Sequence, residues 1–271
     1  MNYNKKILTG LDHNQYEHPF DKKALDKMRA IPFLTTASKW ITSNFVERVY
    51  NIQYTGSHLK VTKQNYPKVY EYLEYACRIL DLKKLPELYI SWDYSINAHT
   101  IGYENPIIIL NSGLIDLCND DEILFVIGHE CGHIKSDHML YHMMAQLLNW
   151  GIDAIPGGSF VASGLQFSIY YWNRMSEFTA DRAGLLCCQN KDAMISAFIK
   201  MAGLPLNQFD NIKTDTFIQQ ARDFKMLDYE GMNQVVKILS IADESHPWTV
   251  MRSSELLKWI DEGHYNKFIL K

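Results

Sequence analysis

The stretch Ile123-Leu-Phe-Val-Ile-Gly-His129-Glu130-Cys131-Gly132-His133-Ile134 decides the fold, because it sets two histidines four residues apart inside an apolar run. Residues four apart stack on one face of an α-helix, so His129 and His133 can offer two imidazole nitrogens to a single metal ion. Glu130 is offset by one position. It can lie beside the metal without ligating it, where a carboxylate can take a proton from a metal-activated water. The pattern is H-E-x-x-H, whose chemistry is amide hydrolysis. Asn119, Asp120, Asp121 and Glu122 supply an N-cap and first-turn acids suited to the positive end of a helix, and the apolar run that follows places the motif in a buried helix. Gly132 costs about 1 kcal/mol of helix propensity, which implies a closely packed neighbour or an open metal face. Core packing alone has no use for two histidines and a glutamate in this register.

A hydrolytic zinc site needs a third protein ligand and an open position for water. Ser176-Glu177-Phe-Thr-Ala-Asp181-Arg-Ala-Gly184 offers two carboxylates one helical turn apart, beside small residues that permit close helix packing. Glu177 is the expected ligand. Asp181, one turn on, is placed to accept a hydrogen bond from the far nitrogen of a ligand histidine and fix its tautomer. The competing reading is a solvated acidic face paired with Arg174 and Arg182.

Around this pair the chain reads as mainly helical. The spacing of Ala24, Leu25, Met28 and Ile31 predicts a helix closed by Pro32, and a second amphipathic stretch covers residues 34–49. Residues 50–61, with the Thr55-Gly56-Ser57 turn signal, are expected to be short extended structure, and residues 64–82 return to helix. Two β-branched and aromatic runs, at 88–92 and 106–111, predict strands paired in one small sheet just before the motif. An edge of that sheet could hold a peptide in extended form; full pairing within the sheet is the alternative. Residues 139–172 read as a helical hairpin broken at Pro156-Gly157-Gly158-Ser159. Its halves are short and polar for membrane spans, so a packed or self-associating hairpin is favoured over membrane contact. His13 and His18 lie in an extended lead-in and read as surface histidines. The helix is expected to continue past the motif, with His138 and His142 capping or facing solvent, since no acid accompanies them.

Composition narrows the function further. With 47% apolar residues, 21% charged and a net charge of -4, the chain is an ordinary globular protein without a basic block, which excludes nucleic acid as a partner. Cys77, Cys118, Cys131, Cys187 and Cys188 are odd in number and fit no disulfide framework, so they read as reduced core thiols, with Cys131 beside the motif as a redox-sensitive alternative. The first ten residues hold no apolar h-region, which predicts a cytoplasmic placement.

H-E-x-x-H followed by E-x-x-x-D on a second helix resembles the HtpX-like and CAAX-prenyl-protease-type gluzincin metallopeptidases. The likeness extends to Asn97-Ala98, to Asn111-Ser112-Gly113-Leu114, where the family often has threonine at the second position, and to Ser245-His246-Pro247-Trp248 through Arg252. It implies one Zn2+ per chain held by His129, His133 and Glu177, with Glu130 as general base and Asp181 supporting a ligand. It also implies that His246 faces the site and steadies the oxyanion; this role rests on the resemblance alone. Many members carry transmembrane helices or a secretory signal, and this sequence departs from them there.

The expected fold is α+β, mainly helical: a zincin-like metallopeptidase domain over residues 61–271 with a small sheet beside the motif helix, and an N-terminal helical extension over 1–60, together one compact unit. The expected activity is zinc-dependent endoproteolysis of a peptide or protein substrate. Two alternatives stay open: a membrane-associated quality-control protease using the 139–172 hairpin, and a catalytically silent metal-binding interaction protein.

Overall fold

The computed structural model of the chain describes residues 5–30, 39, 47–149, 162–226 and 248–270. In chain order the elements are α1 (Pro19–Arg29), α2 (Glu47–Ser57), β1 (Leu59–Lys60), α3 (Pro67–Ile79), β2 (Glu87–Ser91), β3 (Ala98–Ile101) and β4 (Ile107–Asn111). There follow α4 (Ser112–Leu117), the motif helix α5 (Asp120–Lys135), α6 (Met139–Asn149), α7 (Ala162–Cys188), α8 (Lys191–Met201), α9 (Thr214–Met226), α10 (Thr249–Asp261) and α11 (Asn266–Ile269). The architecture is mainly helical with one small four-stranded sheet, as the sequence predicts.

The N-terminus of α5 is a complete capping box. The Asn119 side chain accepts from the backbone N–H of Asp121 and Glu122 at 3.1 and 3.0 Å, and the Glu122 carboxylate accepts from the Asn119 N–H at 2.7 Å. Glu122 is fully buried, and its charge is met by Lys200 Nζ at 2.7 Å and the Ser196 hydroxyl, both on α8. From Glu122 to His133 every residue of the helix is buried. Such a helix must be enclosed on all sides, and here α3, α7, α8 and β3 surround it.

The largest of these contacts is with α7, and it depends on missing side chains. A Cβ on Gly132 would lie 2.5 Å from the Ala183 Cβ, one on Gly128 2.5 Å from the Cys187 Cβ, and one on Gly184 2.7 Å from the Phe125 carbonyl oxygen. The helices cross at a distance that only glycine permits at these positions, which accounts for the propensity given up at Gly132.

The sheet has the order β1-β2-β4-β3, with β2 parallel to β4 and the other pairs antiparallel. The continuous apolar run Ile107-Ile-Ile-Leu110 occupies the buried strand β4, and alternation sorts the sheet into two faces. Leu88, Ala98, Ile108 and Leu110 join the core around the motif helix, while Tyr89, Ile101, Ile107 and Ile109 pack with Met143, Tyr50 and Tyr54 on the other side. The two expected strands do pair, and β3 forms the edge beside α5.

Two expectations change. Residues 50–57 are helical, within α2, and extended structure is confined to Leu59–Lys60. The Tyr50 and Tyr54 side chains, one turn apart, pack on the sheet, and the Tyr54 hydroxyl lies 3.1 Å from His99 Nε2; burying that face outweighs the modest helix cost of Gly56. The Glu47 carboxylate then fastens α2 to the β3–β4 turn by accepting the N–H groups of Tyr103, Glu104 and Asn105. The motif helix also stops at Lys135 instead of running on: Asp137 adopts a left-handed backbone (φ 59°) and turns the chain. Most of the amphipathic stretch 34–49 and the hairpin break at 156–159 lie outside the described residues, but the hairpin's two arms, α6 and α7, pack together. Among the described residues no helix is long and apolar enough to cross a membrane, and all five cysteines are free thiols.

The crossing yields a paired test. Gly132→Ala should lower stability by about 1–3 kcal/mol despite its propensity gain, whereas Gly56→Ala, whose Cβ meets nothing within 4 Å, should raise it by about 0.5–1 kcal/mol. Chemical denaturation midpoints of the two variants check both signs.

Candidate metal centre

One turn of α5 separates His129 from His133, and their Nε2 atoms face each other at 3.1 Å. Across the crossing, α7 brings Glu177 against both: Oε2 lies 3.4 Å from His129 Nε2 and Oε1 3.3 Å from His133 Nε2. All three side chains are buried, and their donor atoms lie within 4.8 Å of one another. Two imidazole nitrogens and a carboxylate converging on one point form a donor set suited to a borderline divalent cation with an open coordination position. The residues therefore fit a metal ion, and these are the ones that could hold it.

Each histidine is oriented through its other nitrogen. His129 Nδ1 lies 2.9 Å from Asp181 Oδ1, one turn along α7 from Glu177. His133 Nδ1 lies 3.0 Å from His138 Nδ1. Burial opposes the charged form of His129, but the hydrogen bonds to Asp181 and Glu177 outweigh it and lift the ring to about 9. Burial dominates at His133 and pushes it down to about 4. Of the two rings, His129 is thus the one whose surroundings favour the charged form.

Arg252, on α10, closes the cluster from a third direction. Its Nε donates to Asp181 Oδ2 at 2.8 Å, one terminal nitrogen donates to Oδ1 at 2.6 Å, and the other sits 3.2 Å from Glu177 Oε2. This is a buried two-pronged guanidinium–carboxylate pair. Burial alone would raise Asp181, but Arg252 and then His129 hold it below the usual carboxylate value.

Glu130 is buried on the side of α5 that faces the sheet, where its Oε2 accepts a hydrogen bond from the Thr100 hydroxyl of β3 at 2.6 Å. The structure thus brings His129, His133, Glu177 and Asp181 together with Glu130 alongside, while His246 lies outside the described residues. Arg174 and Arg182 do not neutralise the carboxylates as the solvated-face reading supposed; Arg182 binds the carbonyls of Tyr16 and Glu17.

Three histidines stand corrected. His138 is fully buried and His142 partly so, because the left-handed turn at Asp137 folds α6 back onto the motif; His142 Nε2 lies 3.0 Å from the Ser176 hydroxyl. His18 is buried too, capping α1 through Nδ1 and packing at a tilt against Phe178 with ring centroids 4.9 Å apart. Thr100, His138 and the two-sided role of Arg252 were missed at the level of residue patterns. Nothing in helical or strand periodicity links them to the motif; only the segment reaching Arg252 carried a signal, through its resemblance.

Arg252→Ala would take the guanidinium away from two buried carboxylates and should destabilise the chain by about 3–5 kcal/mol near neutral pH. Because the folded-state Asp181 is depressed, the pair's contribution is present above the unfolded carboxylate value of about 4 and is lost as pH falls through the folded one. Denaturation of wild type and variant across pH should therefore show the gap narrowing in acid.

The model of Peptidase family M48 matches residues 63–260. The plastoglobule-localized metallopeptidase 48 of the Arabidopsis thaliana chloroplast is 29% identical over 266 residues, spanning 97% of this chain and 77% of that protein. The protease HtpX homolog of Sulfurovum sp. is 33% identical over 140 residues, 49% of each chain. That of Salinibacter ruber is 26% identical over 184 residues, 60% of this chain and 64% of its own. The match thus spans less than two thirds of either HtpX homolog's length. No solved structure matches the chain. With nearly three quarters of its length matched by one family model, the chain belongs to peptidase family M48, and it is a metallopeptidase by that membership.

Proposed function

We propose that this chain is a zinc-dependent endopeptidase in which Glu130 is the general base. The observation that carries the reading is the convergence of two histidine Nε2 atoms and a glutamate from a second helix in a buried site, with another glutamate beside them. His129, His133 and Glu177 would hold the ion, which when bound polarises the scissile carbonyl and acidifies a water.

The remaining chemistry falls to the chain's own side chains. Glu130 accepts the proton of the attacking water and returns it to the leaving amine, and the Thr100 hydroxyl fixes the rotamer in which it does so. Asp181 holds the His129 N–H, while Arg252 keeps Asp181 ionised and sits 3.2 Å from Glu177 Oε2. His246 would stabilise the oxyanion. β3, at the edge of the sheet against the motif helix, would hold a peptide in extended form through backbone hydrogen bonds. The substrate is a peptide or protein, and the mild net charge of -4 speaks against nucleic acid. Self-association through the 139–172 hairpin belongs to the same reading, as does placement in the cytoplasm. A second reading, attachment to a membrane, is favoured by the chloroplast relative, whose name gives a location other than the cytoplasm; flotation with liposomes separates the two.

Elemental analysis beside casein cleavage tests the function. Wild type should hold one zinc and cleave in a chelator-sensitive way. Glu130→Gln should keep the zinc and lose turnover by at least a thousandfold, roughly the scale of removing a central catalytic group, and Glu177→Ala should lose the metal itself. Cleavage by Glu130→Gln would refute its role as base. Zinc binding must also displace the His129 proton, so apparent affinity should climb from pH 7 to about 9, the value to which that ring is raised, and level off above it. Competition with a fluorescent chelator across this range measures the slope.

A further inference from the structure

We propose that Asp21, on the N-terminal helix α1, is a positioning residue for the metal centre, acting through His138 to set which nitrogen of His133 carries the proton. The inference rests on the metal-site reading above. Asp21 and His138 are both fully buried, and Asp21 Oδ2 lies 3.0 Å from His138 Nε2, a close contact not aligned as a hydrogen bond. On its other side His138 presents Nδ1 to His133 Nδ1 at 3.0 Å. Asp21, His138 and His133 thus form a file that ends at His133 Nε2, the atom facing His129 and Glu177.

Proton counting gives the file a direction. A neutral imidazole has one N–H and one lone pair, so of two Nδ1 atoms at hydrogen-bond distance one must donate and the other accept. A carboxylate only accepts, so Asp21 favours N–H on His138 Nε2 and a lone pair on its Nδ1. His133 must then donate from Nδ1, which leaves its Nε2 lone pair aimed at the point where the three donors converge. The effect matches that of Asp181 on His129, carried one ring further.

Asp21 is itself held rigidly. Trp172 Nε1 donates to Oδ1 at 2.9 Å and the Thr179 hydroxyl donates to Oδ2, both from α7, the helix that carries Glu177. The His138 ring packs edge-on against Trp172, with centroids 5.5 Å apart. A residue outside the stretch 63–260 matched by the family model is thereby fixed to the same helix as the third ligand.

Asp21→Asn is the informative variant. Trp172 Nε1 can only donate, so it claims the amide oxygen, and the new NH2 turns toward Thr179 and His138. His138 Nε2 must then accept, and both rings invert until His133 carries its proton on Nε2, where metal should bind. NMR of the metal-free full chain labelled with 15N-histidine should show wild type protonated at His133 Nδ1 and His138 Nε2, and Asp21→Asn inverted at both. Zinc affinity, read by chelator competition, should fall about 10- to 100-fold. His138→Phe keeps the packing on Trp172 and removes the relay, so it should lose affinity similarly even if Asp21→Asn fails to fold; circular dichroism confirms folding. Unchanged zinc affinity in a folded variant, a wild-type His133 protonated at Nε2, or two zinc ions per chain through His133, His138 and His142 would each overturn the relay while leaving the zinc site standing. A wild-type chain that binds no zinc would overturn both.

Discussion

The candidate metal centre forms because α5 and α7 approach more closely than side chains ordinarily allow. Glu177 reaches the two histidines only across this crossing, and the glycines at 128, 132 and 184 remove the Cβ atoms that would hold the axes apart. Each glycine gives up helix propensity, a local cost that is recovered in burial along the largest helix contact among the described residues. The same crossing sets Asp181 against His129 without further adjustment, because it lies one turn from Glu177 on the same rigid helix. The convergence of the candidate ligands and the orientation of His129 both follow from this one packing constraint.

Packing acids this densely creates a charge problem. Glu130, Glu177 and Asp181 are all buried, and Arg252 is the cation that reaches two of them. Counted formally, three carboxylates outnumber the one guanidinium by two charges in a region of low dielectric, an arrangement that is costly unless balanced. Protonation of His129 offsets one of them, which is the physical content of its value near 9. A divalent cation would offset both and release that proton. The charge balance and the donor geometry thus point to the same occupant, from independent considerations.

Much of this was legible in the residues. The four-residue spacings of His129 with His133 and of Glu177 with Asp181 are helical periods, and a period places side chains on a common face whatever the rest of the chain does. The strands expected at 88–92 and 106–111, as β-branched runs bounded by turn residues, were equally plain and fall within one residue of β2 and β4. What periodicity could not supply was anything that depends on a chain reversal or on contacts between distant segments. His138 lies five residues beyond His133, a spacing that shares no helical face, and reaches it only through the left-handed turn at Asp137. Residues 50–61 read as short extended structure because the Thr55-Gly56-Ser57 turn signal was weighed locally, while the packing of Tyr50 and Tyr54 against the sheet decided the outcome for 50–57. Asp21 read as one more polar position on an amphipathic helix, since its partners are 117 to 158 residues away in sequence.

The two proposed ligand histidines differ in where their support originates, and this bears on how the site forms. His129 takes its orientation chiefly from Asp181 on α7, with a terminal nitrogen of Arg252 3.4 Å from the same Nδ1. His133 takes its own from His138 after the motif, and through it from α1 near the N-terminus, while Arg252 enters from α10 near the other end of the described chain. A constellation supported from four separate segments cannot be preorganised by the motif helix in isolation; its precision depends on those elements being docked together. The aligned motifs of such a chain mark where the chemistry would take place. The geometry that makes it workable is distributed over residues whose identity as acids and histidines acquires meaning only once the long-range packing has formed.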